Sequence, residues 1–209
     1  MNYKLVLENE VPVTSDNLQS LFATKEVFVF GYGSLLYSSG WDRRNMVQIP
    51  RRKDLLECEV CGYERGTFGL YSDDDHDIRF HYYGVVPDET KKLNGIITRI
   101  HTLRDWGSLM VTECIAGIAK NYTYRCVDVT DRIRGIKLKE NQVVHMVTNE
   151  HINKERWPLY SPAPGYYTTV AAGVKKERTL DFQREFAVTG GLTKKQAVTL
   201  YKAARTFRW

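Results

Sequence analysis

The sequence predicts an α+β domain built on a largely antiparallel or mixed sheet. Its 209 residues, 43% hydrophobic and 26% charged, fit one globular unit around a sizeable core. Strand-like runs come first and helical patterns collect toward the C-terminal end, an order that argues against alternating β-α units. No internal repeat or low-complexity segment interrupts it.

Each element has its own signal. Thr14 or Ser15 can cap a short helix through Phe22, and residues 26–30 (EVFVF) read as a buried strand. Strand-like runs follow at 55–63, 78–86 and 93–101. The acidic stretch 72–77 (SDDDHD) between two of these is a solvated hairpin tip, because it lacks the glycine and closing glutamate of a calcium loop. Thr102 stands as an N-cap with Asp105 three residues on, close to a capping box, and Leu103, Trp106, Leu109 and Met110 recur at helical spacing. Residues 122–130 and 142–148 are strand-like, and from Gly165 the pattern turns helical through Ala171 and Val174. Thr193 with Gln196 forms a second capping box and Leu192 can staple onto Ala197, so a final helix runs toward Arg205.

Composition excludes several classes of function. The net charge of +5 is mild, and its clusters at 51–53, 175–176 and 194–195 lie beside acids or in loops, so no nucleic-acid partner is expected. Cys58 and Cys61 are formally CxxC, but no second pair stands at zinc-ribbon spacing. They also lie in a strand-like run, where alternate side chains point to opposite faces, so idle thiols are expected. No stretch approaches the roughly 20 apolar residues of a membrane span, and the N-terminus has no apolar leader. A cytoplasmic protein without a membrane partner is expected.

One acid stands out. Extending the stripe Leu103, Trp106, Leu109/Met110 by a further step reaches Glu113, which then shares the buried face. A glutamate is rare there unless paired or useful, and desolvation would move it toward the range of a working base. Alternatively the helix ends at Thr112 and Glu113 is an exposed terminus; spacing alone leaves both open. The second feature is Gly31-Tyr32-Gly33-Ser34-Leu35, which follows the strand at 26–30. It lacks the third glycine of a dinucleotide fingerprint, holding Leu36 there, and no β-α-β context supplies the acidic partner. Backbone N–H groups of such a turn suit a carboxylate or a developing oxyanion.

The stretch FGYGSL at 30–35 resembles the signature loop of the γ-glutamylcyclotransferase-like superfamily, in which YGSL follows the first strand. Later features match in order. Residues 60–65 (VCGYER) resemble the family's V-x-G-[YW]-x-R strand, 93–97 (LNGII) its v-x-G-v-l strand, and 109–113 (LMVTE) the segment that delivers its catalytic glutamate. Tyr122 stands where the family has a tyrosine opening the next strand. Residues 161–166 (SPAPGY), followed by Gly173 and Lys175-Lys176-Glu177, are close to the γ-glutamylcyclotransferase branch itself. Met110 replaces the family's usual Asp, and residues 114–121 are longer and more apolar than the usual link.

The resemblance covers about residues 26–188 of one domain spanning 1–209, with 192–209 as an added C-terminal helix. It implies a small, barrel-like mixed or antiparallel sheet flanked by helices, and it favours the buried reading of Glu113. It also implies an enzyme that cyclises the γ-glutamyl group of a small amide or peptide to 5-oxoproline and a free amine. Glu113 would be the general acid/base, Tyr32, Gly33, Ser34 and Leu35 would hold the glutamyl group, and Tyr122 and Tyr166 would wall the pocket. No cofactor or metal is expected; the expected partner is the small γ-glutamyl substrate, and the chain is a monomer or homodimer. The rival expectation is a non-catalytic module of the same fold that binds a small anion or a protein.

Overall fold

The computed structural model describes residues 15–42, 44–73, 78–115, 124–149, 161–163 and 165–206. Helix α1 (Ser15–Thr24) leads into strand β1 (Glu26–Gly31). Every residue of β1 from Val27 to Gly31 is buried, which is why residues 27–30 (VFVF) form an unbroken apolar run rather than alternating. Val27 and Val29 face one hydrophobic cluster with Trp41, Trp106 and Leu109, while Phe28 and Phe30 face another with Val60, Val85 and Met146. The strand therefore separates two cores.

Strands β2 (Leu56–Asp73) and β3 (Ile78–Ile100) form one long antiparallel hairpin. The remaining strands are β4 (Tyr124–Asp128), β5 (Ile133–Arg134), β6 (Gln142–Asn149) and β7 (Ser161–Pro162). The sheet order is β4-β6-β1-β3-β2-β5, with β7 paired to β3. β1 runs antiparallel to β3 and parallel to β6, so the sheet is mixed, as expected of the α+β reading.

The hairpin differs from the three separate runs read in the sequence. Cys61 pairs with Lys92 and Tyr63 with Pro87, so four residues of β3 oppose Gly62 alone, at φ 84°. That excursion, Asp88-Glu89-Thr90-Lys91, carries the polar stretch that reads locally as a break. The strand continues because its neighbours on both sides remain paired.

Helix α2 (Leu103–Ile115) buries Trp106, Leu109 and Met110 against the first cluster. Thr102 caps it, its Oγ1 accepting from Asp105 N at 3.0 Å. The reciprocal half of the capping box differs from expectation: the Asp105 carboxylate accepts from Val47 N at 2.6 Å and Gln48 N at 3.3 Å. Backbone amides of a packed loop offer this fully buried acid two donors in place of one.

Helices α3 (Tyr166–Glu177), α4 (Leu180–Val188) and α5 (Lys194–Thr206) follow. The sequence reading did not identify α4. Thr179 caps it through Phe182 N, and only Phe182 and Phe186 are buried, with Leu180 and Val188 exposed, so the apolar stripe is short. α5 starts where its capping box sets it: Thr193 N donates to Gln196 Oε1 at 2.8 Å, and Gln196 N to Thr193 Oγ1 at 3.3 Å. Ala197 is buried, Leu192 and Leu200 pack on the first cluster, and Leu192 N donates to the Tyr83 hydroxyl at 2.7 Å. The added helix docks on the protein's own core.

Candidate functional site

Beyond β1 the chain makes two tight turns, Ser34–Leu36 and Ser38–Gly40. The first closes with Leu36 N donating to the Gly33 carbonyl at 3.1 Å, so the N–H groups of Ser34 and Leu35 precede the first bond of the turn. The fully buried Trp41 fixes it from below, its Nε1 donating to the Leu35 carbonyl at 3.0 Å. Glu177, at the end of α3, secures the second turn by accepting from Ser38 N and Ser38 Oγ, both at 2.7 Å.

Both glycines of the opening motif have steric reasons. A Cβ on Gly31 would stand 2.6 Å from the Leu35 Cβ, and one on Gly33 would stand 2.6 Å from the Tyr166 hydroxyl. Gly33 has φ −129°, so close approach and not a left-handed backbone requires glycine there. Tyr166 opens α3 after Gly165, whose φ of 70° does demand freedom from a side chain. Its ring meets Tyr82 edge-on at 5.0 Å and Tyr167 at 5.2 Å. Burial, then the nearby Glu113 charge, pushes the Tyr166 hydroxyl well above the usual phenol range, so it keeps its proton and can donate.

Glu113 lies on α2, which continues past Thr112 to Ile115, and its side chain is 22% exposed. The carboxylate faces Arg44: Nη2 donates to Oε1 at 2.6 Å and Nε to the same oxygen at 3.0 Å. Arg44, only 8% exposed in its side chain, also donates from Nη2 to Ser34 Oγ at 2.7 Å and from Nη1 to the Gly40 carbonyl. One guanidinium thus ties the glycine turns to the acid on α2. The Asp105 carboxylate holds the segment that carries it, through Val47 and Gln48.

These groups wall a cleft of about 690 Å³. Of the residues expected at the site, Tyr32, Gly33, Ser34, Leu35, Glu113 and Tyr166 all line it; Tyr122 lies outside the described residues. Three participants escaped the sequence reading. Arg44 lies in a polar segment with no periodicity, Asp105 carries the local signature of a cap partner, and Glu177 stands at the end of a basic run with no local sign of its contact with Ser38. A cation a short way beyond the glycine turn was the available signal for Arg44.

The cleft combines a carboxylate, a guanidinium, a hydroxyl donor and turn amides inside an aromatic wall, a set suited to a small ligand carrying both charges. Burial pushes the Cys58 thiol up to about 12, that of an unreactive thiol. Among the described residues, no cluster of His, Cys, Asp or Glu is placed to hold a metal ion, and no helix is long and apolar enough to cross a membrane.

No family model and no curated protein matches the chain. Among solved structures, one called gamma-glutamyl cyclotransferase shares 14% identity at TM-score 0.48, covering 84% of this chain and 98% of its own. An uncharacterized Homo sapiens protein shares 14% at TM-score 0.47, over 83% and 96% of the two chains. A yeast gamma-glutamyl cyclotransferase described as specific to glutathione shares 12% at TM-score 0.44, over 88% and 97%. At these identities and scores the functional reading rests on the site itself.

Proposed function

We propose that the protein is a γ-glutamylcyclotransferase-type enzyme that converts a small γ-glutamyl amide or peptide into 5-oxoproline and a free amine. The observation that carries this reading is the meeting of Glu113 with the Gly31–Leu35 turn in one aromatic cleft. In this reaction the nucleophile belongs to the substrate. Its α-amine nitrogen attacks its own γ-carbonyl carbon, a C–N bond forms to close the five-membered ring, and the C–N bond to the leaving amine breaks. Glu113 accepts the proton released from the α-amine and returns it to the leaving nitrogen, so one carboxylate serves both transfers. The Ser34 hydroxyl, the turn amides and the protonated Tyr166 supply donors for the oxyanion that develops at the γ-carbonyl. Holding the chain in its cyclising conformer adds a positioning effect worth several kcal/mol, of the order of intramolecular reactions generally.

The test is a 5-oxoproline release assay across γ-glutamyl dipeptides, γ-glutamylamines and glutathione, with Glu113→Gln as the control. Turnover by the wild type and its loss in the variant is the expected outcome; release that persists unchanged in Glu113→Gln removes the proposed base. One observation favours a second reading, a non-catalytic module that binds a small charged ligand: Arg44 occupies Oε1 of Glu113. Ligand binding without release of 5-oxoproline from any of these compounds would select that reading.

A further inference from the structure

A second cavity, of about 450 Å³, shares no lining residue with the cleft. Its cause lies in the register of three strands. Phe28 of β1 stands opposite Arg99 of β3, while β2 starts only at Leu56, opposite Ile97. Side chains paired across a sheet share a face, so Phe28, Arg99, Ile97 and Leu56 lie on the side of the second cluster. β3 continues past the start of β2 to Ile100, so at Arg99 this face has no β2 neighbour. The chain before β2 turns instead at Arg52–Asp54 and borders the cavity.

The lining is amphipathic. Phe28, Ile49 and Leu56 supply its apolar part. Ile49 and Leu56 are two of five large apolar side chains left exposed among the described residues. Arg51, Lys53 and Arg99 bring three full positive charges, and His101 adds a fourth when protonated. The acid on the lining, Asp54, already accepts from Arg51 N at 2.9 Å. Arg99 pairs with Glu26 at 2.8 Å, and the other Glu26 oxygen accepts from Gln142 Nε2 at 2.8 Å. Among the described residues no ion pair engages Arg51 or Lys53. Like charges on one turn repel each other and gain from an anion placed between them. Exposed Ile49 and Leu56 gain from apolar surface that removes them from water. One molecule that carries both an anion and an apolar body meets both needs. The volume lies within the roughly 300–1,000 Å³ of small-molecule sites, and three stretches of chain converge on it, which suits a small ligand better than a flat protein face.

We propose that this cavity is a binding site for a phosphate monoester with a compact apolar body. Arg51 and Arg99 reach the phosphate from separate segments with N–H forks that fit its oxygens, and Lys53 adds a point charge. Phe28, Ile49 and Leu56 cover the body. Three cations match the two charges of a phosphate better than the single charge of a carboxylate. The site is independent of the chemistry assigned to the cleft.

The test titrates the full chain at pH 7.5, by calorimetry or NMR, with 1-naphthyl phosphate, 1-naphthoate, 1-naphthol and inorganic phosphate. The monoester is close to doubly charged at that pH. It should bind at least about ten-fold tighter than each of the other three, the scale of one charge-assisted contact. Arg51→Gln combined with Lys53→Gln should lower that affinity at least about ten-fold and leave the melting transition in place, because both side chains are exposed. Excess 5-oxoproline should not displace the monoester, which separates this site from the cleft. Equal binding of 1-naphthol would reduce the cavity to an apolar patch, and equal binding of inorganic phosphate would reduce it to a cluster of surface charge. Equal binding of 1-naphthoate would remove the match to a double charge. Each of these overturns the proposal, as does no detectable binding, displacement by 5-oxoproline, or unchanged affinity in the double variant. A peptide rich in Asp and Leu that binds tighter and displaces the monoester would make this face a protein-docking surface, and overturns it too. If the double variant does not fold, the wild-type ranking decides alone.

Discussion

Lowering the pH should destabilise this protein through a buried histidine on β3. His81 on β3 is 5% exposed, and its Nδ1 lies 2.7 Å from the Tyr167 hydroxyl. Burial lowers its pKa from 6.5 to about 4. The unfolded chain therefore takes up the proton first. The contribution is fully present above about pH 6.5 and is lost as pH falls toward 4, with the slope set by the difference in bound protons. At pH 5 the unfolded state is 1.5 units below its midpoint while the folded state is still neutral, which at 1.36 kcal/mol per unit is about 2 kcal/mol. At pH 4 the figure rises to about 3 kcal/mol, including partial protonation of the folded form. Burial shifts His145 the same way, so the wild type alone cannot isolate one ring. His81→Asn keeps a polar atom near Nδ1 and cannot titrate. Urea unfolding at pH 7.5 and pH 5 should show the wild type losing about 2 kcal/mol more than the variant. Equal losses would show that His81 is charged in the folded state, and the argument from burial would fail.

Four further outcomes are expected. Glu113→Gln should abolish 5-oxoproline release, measured by product chromatography, and lower the melting transition, because the largely buried Arg44 loses its charged partner. Gly33→Ala should weaken 5-oxoproline binding with a small fall in melting temperature, because its Cβ would meet the Tyr166 hydroxyl at 2.6 Å; adding Tyr166→Phe, which removes that oxygen, should recover the loss in stability. Asp105→Ala should cost about 1–3 kcal/mol by denaturant titration, the range for buried amides left without an acceptor. It should also reduce substrate affinity by releasing the segment that carries Arg44. Truncation after Gly191 removes Leu192, Ala197 and Leu200 from the core and should lower stability by several kcal/mol, at roughly 1.5–3 kcal/mol per fully buried apolar side chain. Unchanged unfolding of the truncated chain would place that helix's main contact elsewhere.

Local features were legible in the sequence where one segment carries the whole signal. β1 shows its double burial as five consecutive residues of a strand pattern, and α5 shows its start in Thr193 and Gln196. The long β2–β3 hairpin was legible only in pieces, because Asp88 to Lys91 sit in a polar excursion while the pairing that continues the strand lies across the sheet at Cys61 and Tyr63. α4 hides because two buried phenylalanines are too few to set a period. At the site, Glu113 and the glycine turn were each marked by local pattern. Arg44 was not: its partner lies 69 residues away, and no short-range pattern encodes a contact of that separation. Asp105 shows the opposite failure, a local motif that fits and is then outcompeted by two amides from a distant loop.

The grips of α2 on the segment after the turns impose a measure of length. Asp105 and Glu113 are eight residues apart on one helix, about 12 Å along its axis. The groups they hold, Val47 N and the Arg44 side chain, are separated by three residues of chain, which reach about 10 Å at most. The long arginine side chain closes the difference. The helix therefore acts as a gauge: deleting one residue between Arg44 and Val47 leaves one hook without its eye. The piece of chain that orders the cleft is constrained in composition as well as in length, since Asn45 stands at φ 51° and Met46 is buried in the first cluster.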